Sequence, residues 1–172
     1  GSGYLAGTTG GELCAFDGSL SLVSRGKWAS WLSVPVRQVA VSEAGGYAFS
    51  AQRGGASLTG QCRTALSDGD QKLLVPLSEQ EYVSTVSVAV SQDGRLAAYG
   101  CPDGTITLWE TETLNLRWVT RQLCESVTAL AFSPEGDRLA VLGSTGSLFS
   151  VSIPQSVAGC AAGDAASQRA AL

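Results

Sequence analysis

The feature that most constrains this chain is self-similarity at a spacing of 42 to 49 residues. Residues 91–110 read SQDGRLAAYGCPDGTITLWE, with Asp-Gly pairs at 93–94 and 103–104. Forty-two residues on, residues 133–153 read SPEGDRLAVLGSTGSLFSVSI, and Ser133, Gly136 and Gly146 take the places of Ser91, Gly94 and Gly104. Forty-nine residues back, Ser42, Gly45 and Gly55 fall on the same three positions, and Gly11 lies a further 44 before Gly55. A period in this range belongs to repeat architectures, in which each unit buries its faces against its neighbours.

Each unit parses as short strands. In the third, TVSVAVS, RLAAYG, TITLWE and LNLRWVT are separated by QDG, CPDG and TET. Asp-Gly between short apolar runs is a hairpin signal, because both residues tolerate positive φ. The opening runs VRQVAVS, TVSVAVS and VTALAFS alternate only partly. That suits strands covered on both faces by neighbouring units. Four-stranded propeller blades repeat about every 40–45 residues.

These residues resemble the WD-repeat β-propeller family. The match is clearest in VSVAVSQDGRLAAYGCPDGTITLWE and VTALAFSPEGDRLAVLGSTGSLFSVSI, and it spans residues 3–153. The resemblance implies an all-β fold, a partial β-propeller built of four-stranded antiparallel WD-repeat-like blades. The blades are expected at about 3–24, 34–77, 84–120 and 127–153, with residues 154–172 a flexible Ala/Gly/Ser-rich tail. The first unit opens at its second strand and the last closes after its third, which is the pattern of the C-terminal half of such a propeller. The repeats are degenerate. With no histidine in the chain, the imidazole network of many family members cannot form, and the Trp-Asp signature becomes Phe16-Asp17, Trp109-Glu110 and Val151-Ser152.

Composition narrows the chemistry. No histidine means no Ser-His-Asp or Cys-His arrangement within the chain. The five cysteines, Cys14, Cys62, Cys101, Cys124 and Cys160, form no CxxC pair, so neither a metal site nor a cofactor is expected. Such thiols suit a reducing, intracellular compartment, cytoplasmic or nuclear. The Gly-rich TTGGE and RGGAS read as hairpin turns, since strands follow them and a phosphate cradle needs a helix. Glu43, Asp93, Glu135 and Asp137 read as solvated acids in first turns. SLTGQCRTALSDGDQK, residues 57–72, reads as a long loop between the third and fourth strands of the second unit.

A net charge of −4 and no Lys/Arg stripe disfavour nucleic-acid binding. No apolar run approaches the roughly 18 residues that cross a bilayer, so no membrane insertion is expected. Aromatic and charged loop residues remain. The resemblance places on one face of the wheel the connections between units, with Arg25, Lys27, Trp28, Trp31, Tyr82 and Arg121, and the central turns, with Arg53 and Asp103. Exposed Trp, Tyr and Arg are the usual anchors of protein interfaces. Trp109 and Trp118 sit within strands and read as structural. The expected role is a non-catalytic platform for protein partners, completed by the remaining blades of a propeller. Two alternatives are a ribonucleoprotein subunit contacting RNA through Arg25, Lys27, Trp28 and Arg121, and an enzyme with its site in the central channel.

Overall fold

A computed structural model of the 172-residue chain describes residues 3–27, 35–44, 47–53, 56–62, 72–74, 87–113, 115–120 and 122–154. These form fourteen strands and no helix. They are β1 (Tyr4–Gly7), β2 (Glu12–Phe16), β3 (Leu22–Lys27), β4 (Val36–Val41), β5 (Tyr47–Arg53), β6 (Ala56–Cys62) and β7 (Lys72–Leu74). Then follow β8 (Ser87–Val90), β9 (Leu96–Gly100), β10 (Ile106–Glu110), β11 (Leu116–Thr120), β12 (Val127–Phe132), β13 (Arg138–Gly143) and β14 (Leu148–Ser152). They pair as four antiparallel meanders, β1-β2-β3, β4-β5-β6-β7, β8-β9-β10-β11 and β12-β13-β14. The expected strand order is therefore found in every unit. One expectation is corrected. Residues 57–62 do not loop but continue β6, which pairs residue for residue with β5 from Arg53↔Ala56 to Tyr47↔Cys62. The run lacks apolar alternation, yet the long two-stranded ladder satisfies its backbone.

The turns recur as the period requires. The Gly94 N–H donates to the Ser91 carbonyl at 2.9 Å, with φ +71, and the Asp93 carboxylate accepts from the Ser91 hydroxyl and the Arg95 N–H. Only glycine takes that left-handed φ without steric cost. In the fourth unit Gly136 donates to Ser133, and Asp137 accepts from the Ser133 hydroxyl. The Asp moves from just before the glycine (Asp93-Gly94) to just after it (Gly136-Asp137), but the hydroxyl–carboxylate clasp survives.

The units pack face to face like blades. Strand alternation splits β9 between two cores. Ala97 and Tyr99 turn toward the second blade and join Val88, with Ala40, Val90 and Trp109 against them. Ala98 turns the other way and joins Ile106, Leu108, Val127, Leu139, Val141, Val151 and Ile153 between the third and fourth blades. Two polar clasps span the second junction. The Val88 N–H donates to Gln38 Oε1 at 2.8 Å, and Gln92 Nε2 donates to Glu43 Oε2 at 2.7 Å.

Of the opening strands, β8 is buried through Ser87, Val88 and Ala89, as a strand covered on both faces should be. In β12, by contrast, Val127 is buried but Thr128, Ala129 and Ala131 are exposed. Among the described residues, only one of its faces has a neighbouring blade.

Candidate interaction surface

One end of the stack is built from two kinds of chain segment that lock together. The turn between β9 and β10 closes through Gly104 N–H to the Cys101 carbonyl, 3.1 Å. The connection from β11 to β12 lies directly over it. Leu123 N–H donates to the Gly104 carbonyl and Val127 N–H to the Cys101 carbonyl, and the Cys124 carbonyl fills the space that a Cβ on Gly104 would need. From there Ser144 N–H reaches back to the Ser126 carbonyl, which ties in the turn between β13 and β14. Val36 N–H donates to the Thr8 carbonyl in the same way at the first junction. Among the described residues, inter-blade connections and central turns are therefore tied to one another along a rim at the first and third junctions. Gln122, at φ +54, sits in the rim in a backbone conformation that non-glycine residues rarely adopt.

The residues singled out from sequence distribute as follows. Asp103 is exposed at the tip of the β9–β10 turn, where its carboxylate accepts the Thr105 N–H at 2.9 Å. Arg53 ends β5 and pairs with Ala56 across the equivalent turn of the second blade. Arg25 lies on β3, the outermost strand of the first blade, opposite Cys14. Its guanidinium donates to Glu12 at 2.6 Å while remaining well exposed. The hydrogen bond from Arg25 to Glu12, and then their Coulomb attraction, raise the guanidinium's pKa further. Lys27 pairs in register with Glu12 at the end of the same strand. Trp28, Trp31, Tyr82 and Arg121 lie outside the described residues. Trp109 packs against the Val88–Tyr99 core and Trp118 against the Leu108–Val151 core, which makes both structural.

At the opposite end, the structure assembles what the sequence reading left as separate solvated acids. Asp93 and Glu135 meet Glu110, Glu112, Arg95 and Arg117 around a groove of about 410 Å³ between the third and fourth blades. Leu96 and Ile153 contribute apolar lining. Spacing alone does not bring these charges together, because Glu110 ends β10 and Glu112 lies in the turn that follows it. The charges are largely engaged with one another. Arg117 pairs with Glu110, and Arg95 stands 3.7 Å from Asp93. Thr113's hydrogen bond, and then Arg117, hold the Glu110 carboxyl below its ordinary value. Partial burial alone would raise Asp93, but hydrogen bonds from Ser91 and the Arg95 amide outweigh it and lower the carboxyl. A general acid needs the opposite shift, so neither group is set up to deliver a proton near neutral pH. Among the described residues no group of His, Cys, Asp and Glu could hold a metal. No helix among them is long and apolar enough to cross a membrane.

Comparison with known proteins agrees with this architecture. Residues 76–110 match the family model for the WD domain, G-beta repeat. A search of curated protein sequences gives no match. Among solved structures, the β-propeller domain of Myceliophteria thermophila Cps50 (Swd1) is similar at a TM-score of 0.66 and 20% identity, over 87% of this chain and 50% of that one. Saccharomyces cerevisiae Sqt1 is similar at a TM-score of 0.67 and 17% identity, over 89% of this chain and 42% of that one. The chain thus spans half the length of the first and less than half of the second. One segment thus matches a WD repeat, and the chain folds as a partial β-propeller.

Proposed function

We propose that the chain is a non-catalytic platform for protein–protein contacts, part of a propeller within a larger intracellular scaffold or complex subunit, cytoplasmic or nuclear. The observation that carries this reading is the rim. The β9–β10 turn, the 122–126 connection and the β13–β14 turn are hydrogen-bonded into one surface, so side chains from several repeats are held at fixed separations. Rigid presentation lowers the ordering cost of binding. Asp103 lies in the β9–β10 turn and Arg53 ends β5, and with Arg25, Lys27, Trp28, Trp31, Tyr82 and Arg121 they make up the proposed contact set. The absence of histidine from the sequence and the lowered carboxyls of the opposite groove favour binding over catalysis.

The test is affinity purification of the tagged chain beside two variants, each with and without nuclease. One variant joins Arg53→Glu with Asp103→Arg at the rim. The other, Glu112→Arg, alters the opposite groove. A protein partner retained by the wild type and by Glu112→Arg, lost by the rim variant and indifferent to nuclease is the expected result. Recovery abolished by nuclease, with a steep salt dependence, would instead identify an RNA-binding surface. Recovery unaffected by the rim variant would overturn the assignment.

A further inference from the structure

At the end away from the rim, the turns between first and second strands are not joined alike. Gln92 reaches from the third blade to the second, where its Nε2 donates to Glu43 Oε2 at 2.7 Å. The third and fourth blades build this turn with the same bond, Gly94 N–H to the Ser91 carbonyl and Gly136 N–H to the Ser133 carbonyl. Pro134 therefore stands in the fourth blade where Gln92 stands in the third, and its side chain has no donor to offer. The clasp is not repeated, and at this junction the groove of about 410 Å³ opens.

The groove has a charged lining and an apolar one. The third blade contributes Asp93, Arg95, Glu110, Glu112 and Arg117, and the fourth contributes Glu135. Four carboxylates thus meet two guanidiniums. Both guanidiniums stand beside a carboxylate of their own blade, Arg117 with Glu110 and Arg95 with Asp93. Two negative charges remain in excess. The Glu110 carboxylate is already engaged, one oxygen accepting from Thr113 Oγ1 and the other from Arg117. Glu135, on the opposite blade, has no hydrogen bond or ion pair among the described residues. Leu96, Ile153 and Pro154 supply the apolar lining.

That combination selects its ligand by charge and by shape. A phosphate or carboxylate would meet the excess of like charge. A bare metal ion is no better suited, because the described acids do not group closely enough to hold one. A long cationic side chain satisfies both linings, since lysine and arginine lay an aliphatic stem on apolar surface while the head stays with charge and water. The volume lies within the range of about 300–1,000 Å³ typical of ligand sites. We infer that this groove receives an arginine or lysine side chain of a protein partner, with its charged head against Glu112 and Glu135 and its stem against Leu96 and Ile153. The assignment goes beyond the proposed platform. It lies at the other end of the blades from the rim, and its test leaves the rim untouched.

The experiment titrates the full 172-residue chain, labelled with nitrogen-15, with two end-blocked pentapeptides, Gly-Leu-Arg-Leu-Gly and Gly-Leu-Gln-Leu-Gly. Amide shifts of Thr113, Glu135, Gly136 and Ile153 are followed. The arginine peptide is expected to shift them saturably, and the glutamine peptide to bind about fivefold more weakly or not at all. Joining Glu112→Gln with Glu135→Gln, both at exposed turn positions, should weaken the arginine peptide by a similar factor. Raising salt from about 0.05 to 0.5 M should weaken it again. Equal binding of the two peptides, an affinity unchanged in the double variant, or no saturable shift would overturn the site. Shifts that appear only in an Arg169→Gln chain would show the chain's own C-terminal segment to be the occupant and overturn the assignment to a partner.

Discussion

Gly104 and Gly136 share a left-handed backbone, φ +79 and +72, but not an environment. A Cβ added at Gly136 meets nothing within 4 Å, whereas one added at Gly104 drives into the backbone carbonyl of Cys124. Alanine at either position bears the left-handed penalty of about 1–2 kcal/mol. Each also gains about 0.4–1 kcal/mol from a stiffer unfolded chain. Those two effects cancel between the variants. Gly104→Ala alone adds the overlap with Cys124, and overpacking of this kind costs about 1–3 kcal/mol. The Cys124 carbonyl cannot swing aside as a side chain could, because the Leu123 N–H and Val127 N–H bonds fix the connection on either side. Gly104→Ala should therefore be less stable than Gly136→Ala by about 1–3 kcal/mol, with a Tm gap of roughly 2–4 °C for each kcal/mol. Thermal unfolding followed by circular dichroism, paired with urea midpoints, measures the gap. Equal losses in the two variants would refute the claim that the 122–126 connection is clamped onto the β9–β10 turn.

Four further outcomes follow from the same geometry. Leu108→Ala, at a side chain only 1% exposed in the inter-blade core, should cost about 2–5 kcal/mol in urea titration. Thr111→Val keeps the shape but removes the buried hydrogen bond from Thr111 Oγ1 to the Gly94 carbonyl, at 2.6 Å; a loss of about 1–3 kcal/mol is expected. Gln38→Leu should speed exchange of the Val88 amide selectively, since its acceptor crosses from the second blade. The Asp93 and Glu110 carboxyls are lowered in the folded chain. Their stabilisation is therefore complete above the ordinary carboxylate range, near pH 4, and is lost as pH falls through the folded values. Asp93→Asn should lower stability near pH 7 and flatten that acid limb of a stability–pH profile.

The period and the turn chemistry made most of the architecture legible from the residues alone. Ser91-x-Asp-Gly and its counterparts demand tight turns whatever surrounds them, so the hairpins and their order could be read locally. That Asp103 lies in a central turn and Arg53 at a strand end followed from the same signals. Strand β6 was missed because Gly60, Gln61 and Cys62 carry no apolar alternation; pairing with β5, a non-local effect, holds them extended. The groove of Asp93, Glu112 and Glu135 was missed for a related reason. Charges from three turns meet only once two blades are packed.

What the sequence determined by itself, then, is the unit: strand, turn, strand, at a spacing set by hydrogen bonds within a few residues of each other. What the tertiary structure decided is how units meet. Gly7 and Gly100 read as ordinary strand residues until Val36 and Val127 are seen resting on them. Local backbone bonds reveal themselves in residue order, but the fit of one face against another depends on atoms that are neighbours only in space.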